Sequence, residues 1–301
     1  MKLSALSRSE LSLRLRHGLP LRTGAFTFRV KTCIPSVAHG LSLLYADYPL
    51  AAEEFSDFHV TLASPPTLRR WFKSQVTFRF DGMAPFAPLP YTQAFPMLEW
   101  GLNWCVSNHA NNYLIIHAAV VEKNGYAAIL PAPPGSGKST LCAALTLRGW
   151  RLLSDELTLI RLSDGLIEPL PRPISLKNAS IGVIKRFAPA AVFSPEVRDT
   201  VKGTVAHMKP GADSVRRAAL PARAAWIVFP KYEAGAPSVL DTVTPARAFM
   251  RLADNAFNYS LLGQQGFHTL AGVMDGTAAY DFTYSVLDEA IQVFDALPVP
   301  A

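Results

Sequence analysis

Residues 132–139 read Ala132-Pro133-Pro134-Gly135-Ser136-Gly137-Lys138-Ser139, between a short apolar run at 127–130 and an apolar-faced segment at 139–148. A small residue, four free positions and then Gly-Lys-Ser form the pattern of a phosphate-cradling P-loop, which needs a strand before it and a helix after it. Each fixed residue has a chemical reason. Gly135 and Gly137 let the backbone wrap an anion with inward N–H groups, and the positive end of the following helix points at the same place. Lys138 would reach the β- and γ-phosphates of ATP as a point charge, and the Ser139 hydroxyl would complete the coordination of Mg2+. Pro133, Pro134, Ser136 and Thr140 complete the expected nucleotide-binding set.

A phosphoryl-transfer site also needs a carboxylate facing the loop, to hold the metal or to take the proton of an attacking hydroxyl. Asp155 and Glu156 are the nearest candidates, 17 and 18 residues after Lys138, a spacing that accommodates one helix and a returning strand. Side chains alternate along a strand, so one of the two is expected to face the phosphates. His117 lies in the apolar run 114–120, where its imidazole is either a satisfied core histidine or a group that orients or tunes a catalytic carboxylate.

Working outward, Asn124-Gly125 between two apolar runs at 113–122 and 126–130 predicts a hairpin whose second strand leads into the loop. Gly149 is placed to close the helix at 139–148, and strand segments are expected at 150–153 and 157–162. Toward the N-terminus, alternating patterns predict strands at 24–31, 58–62 and 75–81, and helical rhythms appear at 41–55 and 94–108. Toward the C-terminus a strand is expected at 225–229, with helices at 245–255 and 285–296. The proline-rich stretch 83–90 suggests a division into an α+β module, 1–105, and a nucleotide-binding domain, 106–301.

The chain has 301 residues, half of them apolar, which is ample for a buried core. Its longest apolar runs fall far short of the roughly 20 residues that cross a bilayer, and residues 1–19 lack the apolar stretch of a secretory signal, so a cytoplasmic protein without a membrane span is expected. Three cysteines, Cys33, Cys105 and Cys142, make no paired framework and read as buried thiols. The net charge is +6, but the basic residues are scattered, giving no nucleic-acid-binding tract.

His117 with 118–121, the loop 133–139, and Arg148-Gly149-Trp150-Arg151-Leu152 leading to Ser154-Asp155-Glu156 together resemble the catalytic domain of the HPr kinase/phosphorylases. The stretches 171–178, 206–210, 227–230 and 257–259 make the chain similar to the HprK-related kinase A group, from about residue 20 onward. The resemblance implies an α/β fold: an HPr kinase/PEP carboxykinase-like P-loop kinase domain with a mixed sheet, its loop opening on one edge of that sheet, preceded by a small α+β module. It implies Lys138 and Ser139 for phosphates and Mg2+, Asp155 as proton acceptor, His117 beside it, and Asp155-Glu156 in place of the family's paired aspartates. It departs from the family at Ser175-Leu176-Lys177-Asn178-Ala179-Ser180-Ile181-Gly182, where a Glu-x-Arg-Gly-x-Gly signature is absent. Phosphorylase activity and HPr itself as the acceptor lose support there.

The expected activity is Mg-assisted transfer of the ATP γ-phosphoryl group to a serine-type hydroxyl of a peptide or small protein; the resemblance further implies a small peptide-chaperone protein as an associated partner and a homo-oligomer as the family's habit. A non-catalytic ATP-binding switch or assembly protein and a small-molecule kinase are the alternatives. Arg172, His207 and Lys209 sit near prolines in expected loops, where they serve either as ligand contacts or as solvated polarity; Lys177 and Asn178 contact a ligand or form a helix cap; Asn258 and Tyr259 belong to packing.

Overall fold

The computed structural model of the chain describes residues 1–52, 55–65 and 72–298. Its first helix, α1 (Arg8–His17), opens on a reciprocal cap: the Ser7 hydroxyl accepts from Glu10 N at 3.2 Å and the Glu10 carboxylate from Ser7 N at 2.8 Å. Two amides that a helix start leaves without partners are thereby satisfied. Strands β1 (Leu19–Thr23) and β2 (Phe26–Thr32) pair antiparallel around Gly24. Because parallel strands need a crossover, α2 (Pro35–Leu44) joins β2 to the parallel β3 (Phe58–Ala63). Antiparallel β4 (Gln75–Phe80) and the short β5 (Leu89–Pro90) finish this sheet, and α3 (Ala94–His109) packs on it.

The helix expected at 41–55 is displaced: α2 ends at Leu44, and Glu53 and Glu54 lie outside the described residues. Two causes act together. Tyr45 and Tyr48 are buried, and residues 48–50 pair back onto the N-terminus through Leu3 N to Tyr48 O and Leu50 N to Met1 O, both 2.9 Å, while Pro49 cannot continue a helix. The expected division at 105/106 falls inside α3.

Next come β6 (Tyr113–Lys123) and β7 (Tyr126–Pro131), the expected antiparallel hairpin, turning through Asn124 and Gly125 with φ of 56° and 88°. Helix α4 (Lys138–Leu147) follows the Gly-rich loop. It stops where Gly149 takes φ 99° and Trp150 N donates to Leu145 O at 3.1 Å. Then follow β8 (Arg151–Ser154), β9 (Leu157–Arg161), β10 (Ile167–Glu168), β11 (Ile174–Lys177), α5 (Ala179–Phe187), β12 (Val197–Thr200), β13 (Gly203–Met208) and the short α6 (Ala212–Arg216). The chain ends with β14 (Arg223–Tyr232), β15 (Val239–Thr242), α7 (Pro245–Asp254), α8 (Tyr259–Leu262), α9 (Gln264–Met274), β16 (Ala278–Tyr284) and α10 (Leu287–Asp295).

The protein is a mixed α/β structure. Among the described residues its largest sheet runs β10-β9-β6-β7-β14-β16-β15, with β8 also on β6; β7, β14 and β16 are parallel and the remaining pairings antiparallel. Both faces are covered. Ala119, Val121, Ala128 and Leu130 pack with α4, α5 and α10, whereas Ile116, Val120, Ala127 and Ile129 pack with α7 and α9. That alternation is the period-2 geometry of a strand buried on both sides. β7 lies in the interior of this strand order, so the loop opens from the middle of the sheet and not from the expected edge. The reason is that β14 docks parallel onto the free side of the hairpin. A small sheet, β11-β13-β12, stands beside α4.

Cys105 and Cys142 are buried as expected; Cys33 is exposed, because it follows β2 outside the core. Among the described residues no helix is long and apolar enough to cross a membrane.

Candidate functional site

Strand register brings the sequence candidates to one level of the large sheet. β6 has β7 on one side, where Ala118 is opposite Pro131, the last residue before the Gly-rich loop. On its other side β6 pairs with β9 up to His117↔Leu157 and with β8 from Val120↔Ser154. The two residues left between β8 and β9, Asp155 and Glu156, bend out at that same height. The Ser154 hydroxyl tightens the bend by accepting from Leu157 N at 3.0 Å. The pair is not in a strand, so strand alternation does not apply to it, and the charges of both act on Lys138.

The loop itself is shaped by glycine. Gly135 and Gly137 have φ of 88° and 89°, and a Cβ on Gly137 would meet the Tyr284 hydroxyl and Tyr232 Cβ. The Tyr284 hydroxyl donates to Gly137 O at 3.1 Å, Tyr232 N to Ser136 O at 2.9 Å and Ser136 N to Pro133 O at 3.3 Å. The first-turn amides of α4, starting at Lys138, have no acceptor within the helix and face the loop mouth. Pro133, Pro134 and Gly135 are exposed, Ser136, Gly137, Ser139 and Thr140 half-buried, and Lys138 is buried, 9% exposed.

Burial lowers the pKa of the Lys138 ammonium, against the pull of Asp155 and Glu156. Asp155 is 5% exposed; its Oδ2 accepts from Ser175 N at 3.0 Å, while Oδ1 is buried with no hydrogen-bond partner. Burial, then the Glu156 charge, push the Asp155 carboxyl up to about 6, against Lys138, the Ser175 amide and the Ser139 hydroxyl. Glu156 is driven the opposite way. Burial would raise its pKa, but Lys202, Lys177, Lys138 and His117 together outweigh burial and lower it. Glu156 Oε2 accepts from Asn103 Nδ2 at 2.8 Å. The half-buried His117 ring lies 5.7 Å from Phe257, and burial, then Lys138, push its pKa down to about 4, so it is neutral at pH 7.

Arg172 and Lys209 are held in ion pairs, and His207 lies in a strand and not in a loop. Arg172 is buried against Glu99, with Nη2 to Oε2 at 2.5 Å. His207 lies within β13, 1% exposed, edge-on to Phe95 at 5.5 Å. Lys209 pairs with Asp47 at 2.7 Å. Each meets the N-terminal sheet's elements, a long-range contact that local sequence does not announce. Asn178 is the residue before α5, with φ 51°, and its Oδ1 accepts from Thr204 N at 3.0 Å. Asn258 bonds the start of β6 at Ile115 N and Tyr113 O, the packing role expected. Asn103, whose amide holds Glu156, was legible only as a polar position in a helix.

Among the described residues no three His, Cys, Asp or Glu side chains converge as a metal cluster. A hard cation bound chiefly through phosphate oxygens needs fewer protein ligands, and the unpartnered Asp155 Oδ1 with the Ser139 hydroxyl beside that carboxyl fits such a role. A cavity of about 20 Å3 is lined by Asp155 and Glu156 together with Trp100, Asn103, Arg172 and His207. A cleft of about 860 Å3, far larger than that cavity, is lined by Gly165, Arg223, Gln264 and His268 and by none of the loop or carboxylate residues. Size alone therefore points away from the cluster of perturbed groups, which are the better guide to chemistry. No protein-family model matches the chain, and no curated protein matches it.

Proposed function

We propose that the protein is an ATP-dependent, Mg-assisted phosphotransferase of the HPr kinase-like type, acting on a serine-type hydroxyl of a peptide or small protein. The observation that carries this reading is the convergence, across one strand, of the glycine loop with Lys138 on one side and the buried Asp155 and half-buried Glu156 on the other. A chance Gly-Lys-Ser turn has no reason to face a carboxylate pair. The mixed sheet with β7 entered from a hairpin agrees with the HPr kinase/PEP carboxykinase architecture.

In this reading the loop amides and Lys138 bind the β- and γ-phosphates and stabilise the charge that spreads over the transferring group. The Ser139 hydroxyl and the carboxylates would hold Mg2+, which when bound neutralises phosphate charge. Asp155, with a pKa near 6, is mostly ionised at pH 7 yet basic enough to accept a proton. As the acceptor oxygen forms its bond to the γ-phosphorus, its proton passes to Asp155, the bond to the β,γ-bridging oxygen breaks, and ADP leaves. Neutral His117 flanks this exchange without adding charge.

The experiment is transfer of labelled γ-phosphate from Mg·ATP in a bacterial lysate, with wild type, Lys138→Ala and Asp155→Asn. A labelled acceptor that vanishes with both variants supports the kinase. Lys138-dependent ATP binding without transfer supports the switch instead, competition by free serine or a sugar supports a small-molecule kinase, and absence of ATP binding rejects all three.

A further inference from the structure

We propose that Asn103 and Arg172 are positioning residues that fix the Glu156 carboxylate, so that α3, from the N-terminal part of the chain, completes the candidate site. The inference rests on the kinase reading for its consequence and on geometry for its existence. Arg172 Nη1 donates to Asn103 Oδ1 at 2.5 Å. A guanidinium has only donors, so the Asn103 oxygen must face it, and the amide nitrogen then must face Glu156, as it does at 2.8 Å. The orientation of the amide is dictated by its partners.

Arg172 is in turn held by several partners. Its Nη2 reaches Glu99 Oε2 at 2.5 Å and Glu99 O at 2.9 Å, its Nε the Tyr45 hydroxyl at 3.4 Å, and Tyr45 donates to both Glu99 oxygens at 2.8 and 3.0 Å. Tyr45, Glu99 and Arg172 are all buried. A chain of hydrogen bonds thus runs from the core of the N-terminal sheet to Glu156, one residue from Asp155. Neither Asn103 nor Arg172 touches the Gly-rich loop through any of these bonds. Their effect on chemistry passes through the carboxylate they hold, as partners behind a ligand usually act.

The test is a double-mutant cycle on the full chain with wild type, Asn103→Ala, Glu156→Ala and the double variant, read two ways. Steady-state turnover of Mg·ATP with the acceptor found by labelling should fall about 10–100-fold in Asn103→Ala, while affinity for metal-free ATP changes less than about twofold. Asn103→Ala should do nothing further once Glu156 is Ala, and Asn103→Gln, which keeps the donor, should recover part of the loss. Equal losses in both backgrounds, or none in either, overturn the proposal. Thermal midpoints of the same four proteins need no nucleotide and should also be non-additive; additive midpoints overturn the contact itself. If wild type binds no ATP, the kinase reading falls and the thermal cycle alone decides whether Asn103 holds Glu156.

Discussion

Asp155 and Glu156 are neighbours in one bend, yet their surroundings drive their carboxyls in opposite directions, Asp155 up to about 6 and Glu156 below the usual carboxylate range. Asp155 has one amide donor and a buried orphan oxygen, whereas Glu156 has the Asn103 amide and the combined charge of Lys202, Lys177 and Lys138. Two adjacent acids with separated pKa values can take different roles, the weaker acid accepting protons and the stronger remaining a fixed charge. On the kinase reading proposed above, the contrast favours Asp155 as proton acceptor and Glu156 as the fixed charge.

Removing the Asp155 charge is expected to stabilise the fold. The folded chain keeps this proton up to about pH 6, while the unfolded chain releases it near 3.8, so wild type loses stability as pH rises through that window. Above pH 6 the whole penalty, up to about 3 kcal/mol, is in place. Asp155→Asn should therefore raise the unfolding midpoint at pH 7 and leave it nearly unchanged near pH 3.5. A gain of the same size at both pH values would mean that desolvated charge is not the cause.

His117 predicts the opposite slope. The folded chain keeps the ring neutral down to about pH 4, whereas the unfolded chain protonates it near 6.5, so its contribution is present above 6.5 and lost as pH falls toward 4. His117→Gln should remove that part of the acid destabilisation. Between pH 4 and 6 the two groups oppose each other, so wild type should show a flatter profile there than either variant. Denaturant midpoints of the three proteins at half-unit pH steps would test this.

The loop, the hairpin and the acidic pair were legible because each is local: glycines at fixed offsets, Asn-Gly between apolar runs, and two acids ending one. The cap of α1 was equally local, since Ser7 and Glu10 stand at the capping-box spacing, and the leucine-rich charge pattern around them concealed it. What was not legible depends on contacts distant in sequence. Residues 45–50 are drawn out of a helical pattern by pairing with residues 1–3, and Arg172 looks like a solvated loop arginine until Glu99, 73 residues away, is placed beside it. The same holds for Asn103. Nothing in its neighbours along α3 indicates Glu156, which only folding brings to 2.8 Å.

The Glu99–Arg172 pair gives a structural prediction with no nucleotide in it. Both side chains are buried and multiply hydrogen-bonded, so removing one charge leaves the other uncompensated in the protein interior. Glu99→Leu should destabilise the protein by about 3–5 kcal/mol. Glu99→Leu with Arg172→Met should recover much of that loss, as paired replacement of buried ions by apolar groups often does. Equilibrium denaturation of the single and double variants decides it, and a single variant within about 1 kcal/mol of wild type would show the pair to be dispensable.

Gly135 and Gly137 share a left-handed φ but differ in their surroundings, and the difference separates strain from fit. Alanine at either position must adopt a conformation costing about 1–2 kcal/mol for an L-residue. Nothing lies within 4 Å of a Cβ at Gly135, so Gly135→Ala should lose no more than that strain. At Gly137 the new methyl meets the Tyr284 hydroxyl and Tyr232 Cβ, so Gly137→Ala must also displace β14 or β16 or break the Tyr284 bond that holds the loop. Gly137→Ala should therefore be the less stable variant and should lose ATP affinity by the larger factor. Adding Tyr284→Phe, which removes the hydroxyl that clashes, should restore part of the stability to Gly137→Ala and none to Gly135→Ala. Thermal melts with and without Mg·ATP measure both effects, and equal losses for the two alanines would show that φ alone governs this loop.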